Sequence, residues 1–509
     1  MGSGEGGNHP CPMTTYAPRA RVLALCLAAL AATVPTAQPA GAAGARTPAL
    51  QWRPCAGPHD PAGKECATLP VPLDYRDPDG PQLGLAVTRV RSERPAVRRG
   101  TLLVVPGGPG GSGLRRMTEK GAALSTAMAG AYDLVSFDPR GVGGSSRASC
   151  RLDPADRQLV TLRSWPRADG DITENVARSR RIAEACHRHG GAVLRSITTA
   201  NEVRDIDCLR RALGEQKLSA WGSSYGSYVA AVYAQKYPRH TDRWVLDSTG
   251  DPDPSRVARG WLANTSAGAD DRFPDFAAWA ADPARKELRL ARRAEDVRPL
   301  FLALAAKLDR APKQSTTPGV PLTGNRLRQA MQNALAGDDL FEEVARLVRA
   351  ARNPAAEPVL PAALAGPLPD QDASGVMAAT CNDVRWPASV PAYRRAVAAD
   401  RARHPLTAGM PANVSACSFW KDAPAGKPTR ITADGPANLL MIQNLRDPYT
   451  PYAGALKMRQ ALGGRARLVT VGHGGHGAYL GNGNACGDRA VTAFLTTGRR
   501  PQQDTSCAD

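Results

Sequence analysis

Residues 218 to 237 constrain this chain more than any other stretch. Leu218–Trp221 is a short apolar run of the length a buried strand shows. Gly222-Ser223-Ser224-Tyr225-Gly226 follows it directly. Beyond that, Ser227, Ala230, Ala231 and Ala234 give a helical pattern many small side chains. A strand that turns sharply into a helix brings the two backbones close together. Glycine on either side of the turn and small residues behind it permit that approach. Ser224 then stands at the apex and at the helix N-terminus, where the dipole favours developing negative charge. A bare G-x-S-x-G arises often by chance, as an ordinary glycine-serine turn. The strand before it and the helix after it make this one specific.

The surrounding pattern is of the same kind. Ala67–Leu73 and Leu83–Val90 read as strands joined around the Asp79-Gly80 turn. Thr101–Val105, Asp133–Phe137 and Arg243–Leu246 are further continuous apolar runs, with helical stretches over 174–187 and 200–213 between them. Strands without polar alternation are covered on both faces, which predicts a mostly parallel sheet of the α/β class. The alternation stops after Asp253-Pro254. From Ser255 to Asp370 the pattern is helical, including Val297–Leu308 and Leu340–Ala351, with a Pro/Thr/Gly-rich loop over 311–324. Strands resume at Ala437–Ile442 and Ala466–Val471. The predicted organisation is a leader over 1–45, core over 46–254, a helical cap insertion over 255–378 and the rest of the core over 379–509.

A serine hydroxyl needs a base to become a nucleophile. Of the eight histidines, His9 falls in the leader region, and His59, His187, His189, His240 and His404 fall in loops or helix ends without supporting signals. His473 and His476 lie in Val471-Gly472-His473-Gly474-Gly475-His476-Gly477, directly after the last predicted strand. His476 is the predicted base and His473 the alternative. Asp447, which closes the strand region over 437–444 and opens Asp447-Pro448-Tyr449-Thr450-Pro451, is the predicted acid that orients it. Asp434 is weaker because it precedes the strand. The order Ser224…Asp447…His476 is that of an α/β-hydrolase fold. Acyl transfer also needs donors for an oxyanion. Pro106-Gly107-Gly108-Pro109-Gly110-Gly111-Ser112-Gly113 follows the first core strand, so the N–H groups of Gly108 and Tyr225 are predicted, with Gly107 the near alternative. No Gly-Lys-Ser/Thr follows those glycines, which argues against a phosphate loop. Cys186-His187-Arg188-His189 is read as a helix end. No metal and no cofactor is predicted.

The N-terminus points to export. Arg19 and Arg21 precede an apolar run from Val22 to Val34, and Ala40-Gly41-Ala42 or Ala43-Gly44-Ala45 offers a cleavage site. That is a secretory signal peptide, with Met13 an alternative start. The run is shorter than the roughly 20 apolar residues a membrane span needs. No later segment reads as an anchor, and Leu25 before Cys26 argues against lipid attachment. The mature chain is predicted to be secreted and extracellular. Setting aside Cys11 and Cys26 leaves Cys55, Cys66, Cys150, Cys186, Cys208, Cys381, Cys417, Cys486 and Cys507, none at C-x-x-C spacing. Outside the cytosol these read as structural disulfides. Connectivity is open, though sequential pairing (55–66, 150–186, 381–417, 486–507) leaves loops of plausible size and leaves Cys208 as a buried free thiol. The net charge of +18 is spread along the chain and mixed with acids. No basic tract is interleaved with aromatics, which argues against a nucleic-acid partner.

Together the motifs Val105–Gly113, Asp138-Pro139-Arg140-Gly141-Val142-Gly143, Gly222–Gly226 and Asp447–Pro451 resemble those of the secreted tripeptidyl aminopeptidases, relatives of the prolyl iminopeptidases. The resemblance runs from about Trp52 to Cys507 and includes the sequential cysteine pairs. It implies an α/β-hydrolase with a helical cap, releasing short peptides from free N-termini of peptides or proteins through an acyl-enzyme. Val105 stands where the family usually has Asn, and Tyr449 where a small apolar residue is usual, which narrows the pocket. Such families include esterases, so a carboxylesterase with the same triad is the alternative. An aminopeptidase must recognise a free α-ammonium, for which a half-buried carboxylate is the usual partner. Asp383, in Cys381-Asn382-Asp383, is the predicted substrate-binding residue; otherwise it caps a helix or faces solvent.

Overall fold

The continuous apolar runs become the centre of a sheet. The computed structural model describes residues 50–508 except 56, 58, 59, 61, 62, 423 and 425. The predicted leader over 1–45 and His59 lie outside the described residues. Among those described, ten strands form one sheet: β1 (Arg53–Pro54), β2 (Lys64–Pro72), β3 (Gln82–Val90), β4 (Gly100–Val105), β5 (Tyr132–Phe137), β6 (Leu218–Ser223), β7 (Thr241–Asp247), β8 (Leu439–Arg446), β9 (Ala466–Gly474) and β10 (Thr505–Cys507). Their order is β1-β2-β3-β5-β4-β6-β7-β8-β9-β10. The pairs from β1 through β3 to β5 are antiparallel, and every later pair is parallel. This is the α/β-hydrolase fold.

Successive residues of the central strands point to opposite faces, and both faces are buried. Leu103, Val105, Ala220, Trp244, Leu246 and Met441 pack on one side with the helix Tyr225–Lys236. Leu102, Val104, Trp221, Val245, Leu440 and Ile442 pack on the other with the helices Gly113–Met128 and Ala485–Thr497. That double coverage is why these strands lack polar alternation.

Between β7 and β8 the chain runs through helices at Val257–Ala281, Ala294–Arg310, Gly324–Ala334, Phe341–Arg352, Asp370–Cys381 and Val390–Arg403. Position 378, where the sequence pattern ends the insertion, falls inside Asp370–Cys381. The first four of these helices share a core of their own, with Phe273, Phe276, Phe301, Leu327, Phe341 and Val348 buried together. Phe341, Val344, Ala345 and Val348 fall on one helical face, which explains the legible period there. Among the described residues no helix is long and apolar enough to cross a membrane.

Disulfides join Cys55–Cys66, Cys150–Cys186, Cys381–Cys417 and Cys486–Cys507, the sequential pairing. The last ties β10, too short to show any pattern, to the helix Ala485–Thr497. Cys208 corrects the expectation of a free thiol: its sulfur is disulfide-bonded.

Candidate active site

β6 ends at Ser223, the helix starts at Tyr225, and Ser224 joins them at φ 60°, ψ −127°. A residue with a side chain rarely adopts that conformation, and holding it there costs on the order of 1–3 kcal/mol. The glycines of the motif are required by contact. A Cβ on Gly222 would lie 2.4 Å from the Gly226 carbonyl oxygen, and one on Gly226 would lie 2.4 Å from the Val105 carbonyl oxygen. The Ser224 N–H donates to the Asp247 carbonyl at 2.9 Å. The Ser227 hydroxyl donates to the Ser224 carbonyl at 2.6 Å. The Tyr225 N–H belongs to the first helical turn, whose donors have no acceptor within the helix. The glycine loop after β4 approaches the same point, because a Cβ on Gly107 would sit 3.2 Å from Ser224 Cβ. Gly107, Gly108, Ser224 and His476 line one cavity of about 460 Å³, within the usual range for a small-ligand site.

His476 and Asp447 are brought together as the sequence order anticipates. His476 Nδ1 lies 3.0 Å from both Asp447 carboxylate oxygens, leaving Nε2 on the opposite edge of the ring. Asp447 is buried and also accepts from the N–H groups of Tyr449 and Thr450 and from the Thr450 hydroxyl, each at 2.9 Å. A carboxylate held by that many donors is fixed in place, and it in turn orients the ring. Burial pulls the His476 imidazole down, but the Asp447 carboxylate outweighs it and Asp247 adds to it, so the net shift is upward from 6.5; the Arg116 charge opposes it. If His476 is the base, its neutral form is the active one. The acid limb of kcat/KM is therefore expected above pH 6.5, rising with pH. A limb below 6.5 in a pH–rate profile contradicts this geometry.

Asp247 is the residue the sequence reading missed. It ends β7 fully buried, and its carboxylate accepts from the N–H groups of Ala478 at 2.9 Å and Tyr479 at 3.1 Å and from the Trp221 indole at 3.1 Å. Ser248 beside it accepts from the Gly477 N–H at 2.8 Å. The two therefore moor the loop that carries His476. The signal was a carboxylate at the C-terminal end of a buried strand, the edge where α/β sheets place their sites.

The helical insertion reaches the same loop. The His476 N–H donates to the Ala336 carbonyl at 2.8 Å. The Tyr449 ring meets the His476 ring edge-on at 5.2 Å between centroids, and its hydroxyl donates to the Gln332 carbonyl at 2.9 Å. Tyr449 and Trp261 line the cavity beside Ser224.

Other predicted residues lie elsewhere. His473 Nδ1 turns back to its neighbour Gly474, and Asp434 accepts from Thr432 at the surface. Asp383 does not line the Ser224 cavity. Its carboxylate accepts from the Thr199 N–H at 2.9 Å and from the Thr199 hydroxyl, and it borders a separate cavity with Asn201 and Lys427. It thus meets the start of the helix Thr199–Ala212, whose N–H groups attract a carboxylate. That placement withholds it from a substrate at Ser224. Thr199 Oγ1 is 2.7 Å from the Tyr225 hydroxyl, so Asp383 bears on the elbow through one intermediate.

Next to this chain of contacts Glu202 is buried, with Oε1 lacking a hydrogen-bond partner among the described residues. Burial, reinforced by the Asp205 and Asp383 carboxylates, pushes its carboxyl from 4.5 up to about 8. The folded protein therefore keeps a proton that the unfolded chain releases. Its contribution to stability is full below pH 4.5 and lost as pH rises through about 8. Chemical denaturation at stepped pH is expected to show stability falling across that window, and Glu202→Gln to flatten the fall. An unchanged slope in Glu202→Gln assigns the proton to another group.

A family profile described as TAP-like protein matches residues 405–507. The tripeptidyl aminopeptidase of Streptomyces lividans is 33% identical over 92% of this chain and 88% of its own. The chain belongs to the tripeptidyl aminopeptidase family. It is a serine hydrolase of a peptidase family. Serine protease Hip1 of Mycobacterium tuberculosis is 27% identical over 90% of this chain and 91% of its own. Carboxylesterase B of Mycobacterium tuberculosis is 30% identical over 87% and 86%. Within the tripeptidyl aminopeptidase family, the candidate site is thus built from the elbow at Ser224, the acid loop after β8 and the histidine loop after β9.

Proposed function

We propose that this protein is an exported serine exopeptidase that releases short peptides, chiefly tripeptides, from free N-termini. His476 Nε2 takes the Ser224 proton as Oγ attacks the peptide carbonyl. The N–H groups of Gly108 and Tyr225 hold the oxyanion, each worth roughly a factor of 10²–10³. Collapse expels the leaving amine, which takes the proton from His476, and water then hydrolyses the acyl-enzyme. The helices between β7 and β8 act as a cap over the substrate's amino end. The observation that carries the reading is the Asp447–His476 pair opening on the same cavity as the strained Ser224. The tripeptidyl aminopeptidase relative, matched over most of both chains, supports the peptide class. The predicted leader and the four disulfides support export.

A carboxylesterase is the second reading, favoured by the esterase relative. A panel of tripeptide amides with free and acetylated N-termini, run beside simple esters, separates the two. The exopeptidase reading expects free tripeptide amides to lead and acetylation to remove most of kcat/KM. Equal turnover of free and acetylated peptides contradicts it, and turnover of esters alone makes the protein an esterase.

A further inference from the structure

The cavity that holds Ser224 and His476 is unevenly charged. Arg115, Arg116 and Arg163 line it, against one lining carboxylate, Glu119. Arg115 and Glu119 are one turn apart on the helix Gly113–Met128 and face each other at 3.6 Å, an exposed pair that accounts for both charges. Arg116, half-buried, and Arg163, exposed, have no such partner. Among the described residues neither guanidinium has a hydrogen-bond acceptor or a carboxylate partner. Arg116 lies over the Trp221 ring at 5.6 Å. Arg163 follows the short helix Leu159–Leu162, and its backbone N–H alone is engaged, by the Leu159 carbonyl at 2.9 Å. The Arg116 charge acts on His476, and the Arg163 charge acts on Tyr449, whose ring packs on His476. A guanidinium carries five donors in a planar fork matched to a carboxylate. Two of them line one cavity without a protein acceptor, so their donors are available to a carboxylate that enters it.

We propose that Arg116 and Arg163 form a carboxylate-binding subsite beside Ser224 that selects peptides carrying a carboxylate close to the scissile bond. The inference rests on the peptidase reading above and names its substrate class. The carboxylate comes from an aspartate or glutamate side chain, or from the free C-terminus of a short peptide. An α-ammonium placed there is repelled, so the pair also orients the peptide, with its amino end away from the arginines.

Matched substrates test it on the full chain. Trialanyl-alanine is compared with its C-terminal amide, and trialanyl-glutamate amide with trialanyl-glutamine amide. The first pair reads the terminal carboxylate and the second the side chain. At least one pair is expected to favour the anion by about ten-fold in kcat/KM. That preference should shrink with added salt and fall to near one in Arg163→Gln or Arg116→Gln. Ratios near one in both pairs for the unmodified protein overturn the subsite, as does a preference that survives in both variants. If no peptide is cut, the peptidase reading fails, and the ratio is read on p-nitrophenyl hemisuccinate against the p-nitrophenyl ester of methyl succinate. A preference for the hemisuccinate that the variants abolish then supports the arginines alone, and a ratio near one overturns them too.

Discussion

Ser224→Ala is expected to remove nearly all turnover, lowering kcat by roughly 10⁴–10⁶-fold while the protein stays folded. The size of the loss follows from the role: without Oγ no acyl-enzyme forms, and only the oxyanion donors and substrate binding remain. Stability should hardly move, because alanine meets the same positive φ of 60° that serine already endures. Ser224→Gly sharpens the test. Glycine adopts that conformation freely, so this variant should be inactive yet more stable than the parent by about 1 kcal/mol. An inactive variant that also unfolds easily says nothing of chemistry; an inactive variant with a raised Tm separates strain from reaction.

Asp447→Asn is expected to cost roughly 10⁴-fold in kcat with the fold intact. An asparagine side chain fills the same buried space and its oxygen can still accept from Tyr449 and Thr450. What it cannot do is hold the imidazole with its proton on Nδ1 and stabilise the cation that forms. The same substitution removes the main upward influence on His476, so any residual activity should show its acid limb at lower pH than the parent. A loss below ten-fold, with the limb unmoved, shows that another carboxylate orients the base. Asp247 is the first to suspect, since it is the other carboxylate acting on that ring.

The parts legible in the sequence are those set by local rules. A parallel strand buried on both faces reads as an unbroken apolar run, and the core strands from Thr101 to Val471 fall where those runs fall. The elbow is legible because strand–helix contact excludes any Cβ at Gly222 and Gly226. The candidate pair Asp447 and His476 is legible because each follows a successive strand, β8 and β9, and the two loops meet. Contacts between distant segments are another matter. Asp247 reads as an ordinary strand end until the chain brings the N–H groups of Ala478 and Tyr479 onto it. The grip of Ala336 on the His476 backbone depends on how the insertion folds back, which no local pattern encodes. Asp383 shows the same limit from the other side. A carboxylate beside a cysteine suits an amine, but Thr199 at the start of its helix supplies an N–H and a hydroxyl that the sequence does not reveal as its neighbours.

The most direct measurement is site mapping of a covalent adduct. The purified protein is treated with a peptidyl phosphonate bearing a free amino terminus, digested, and read by tandem mass spectrometry, with the acetylated phosphonate run in parallel. The account predicts one adduct, on Ser224, formed quickly with the free-amine reagent and much more slowly with the acetylated one. Modification of Ser223 or Ser227, or labelling of Ser224 at equal rates by both reagents, contradicts it.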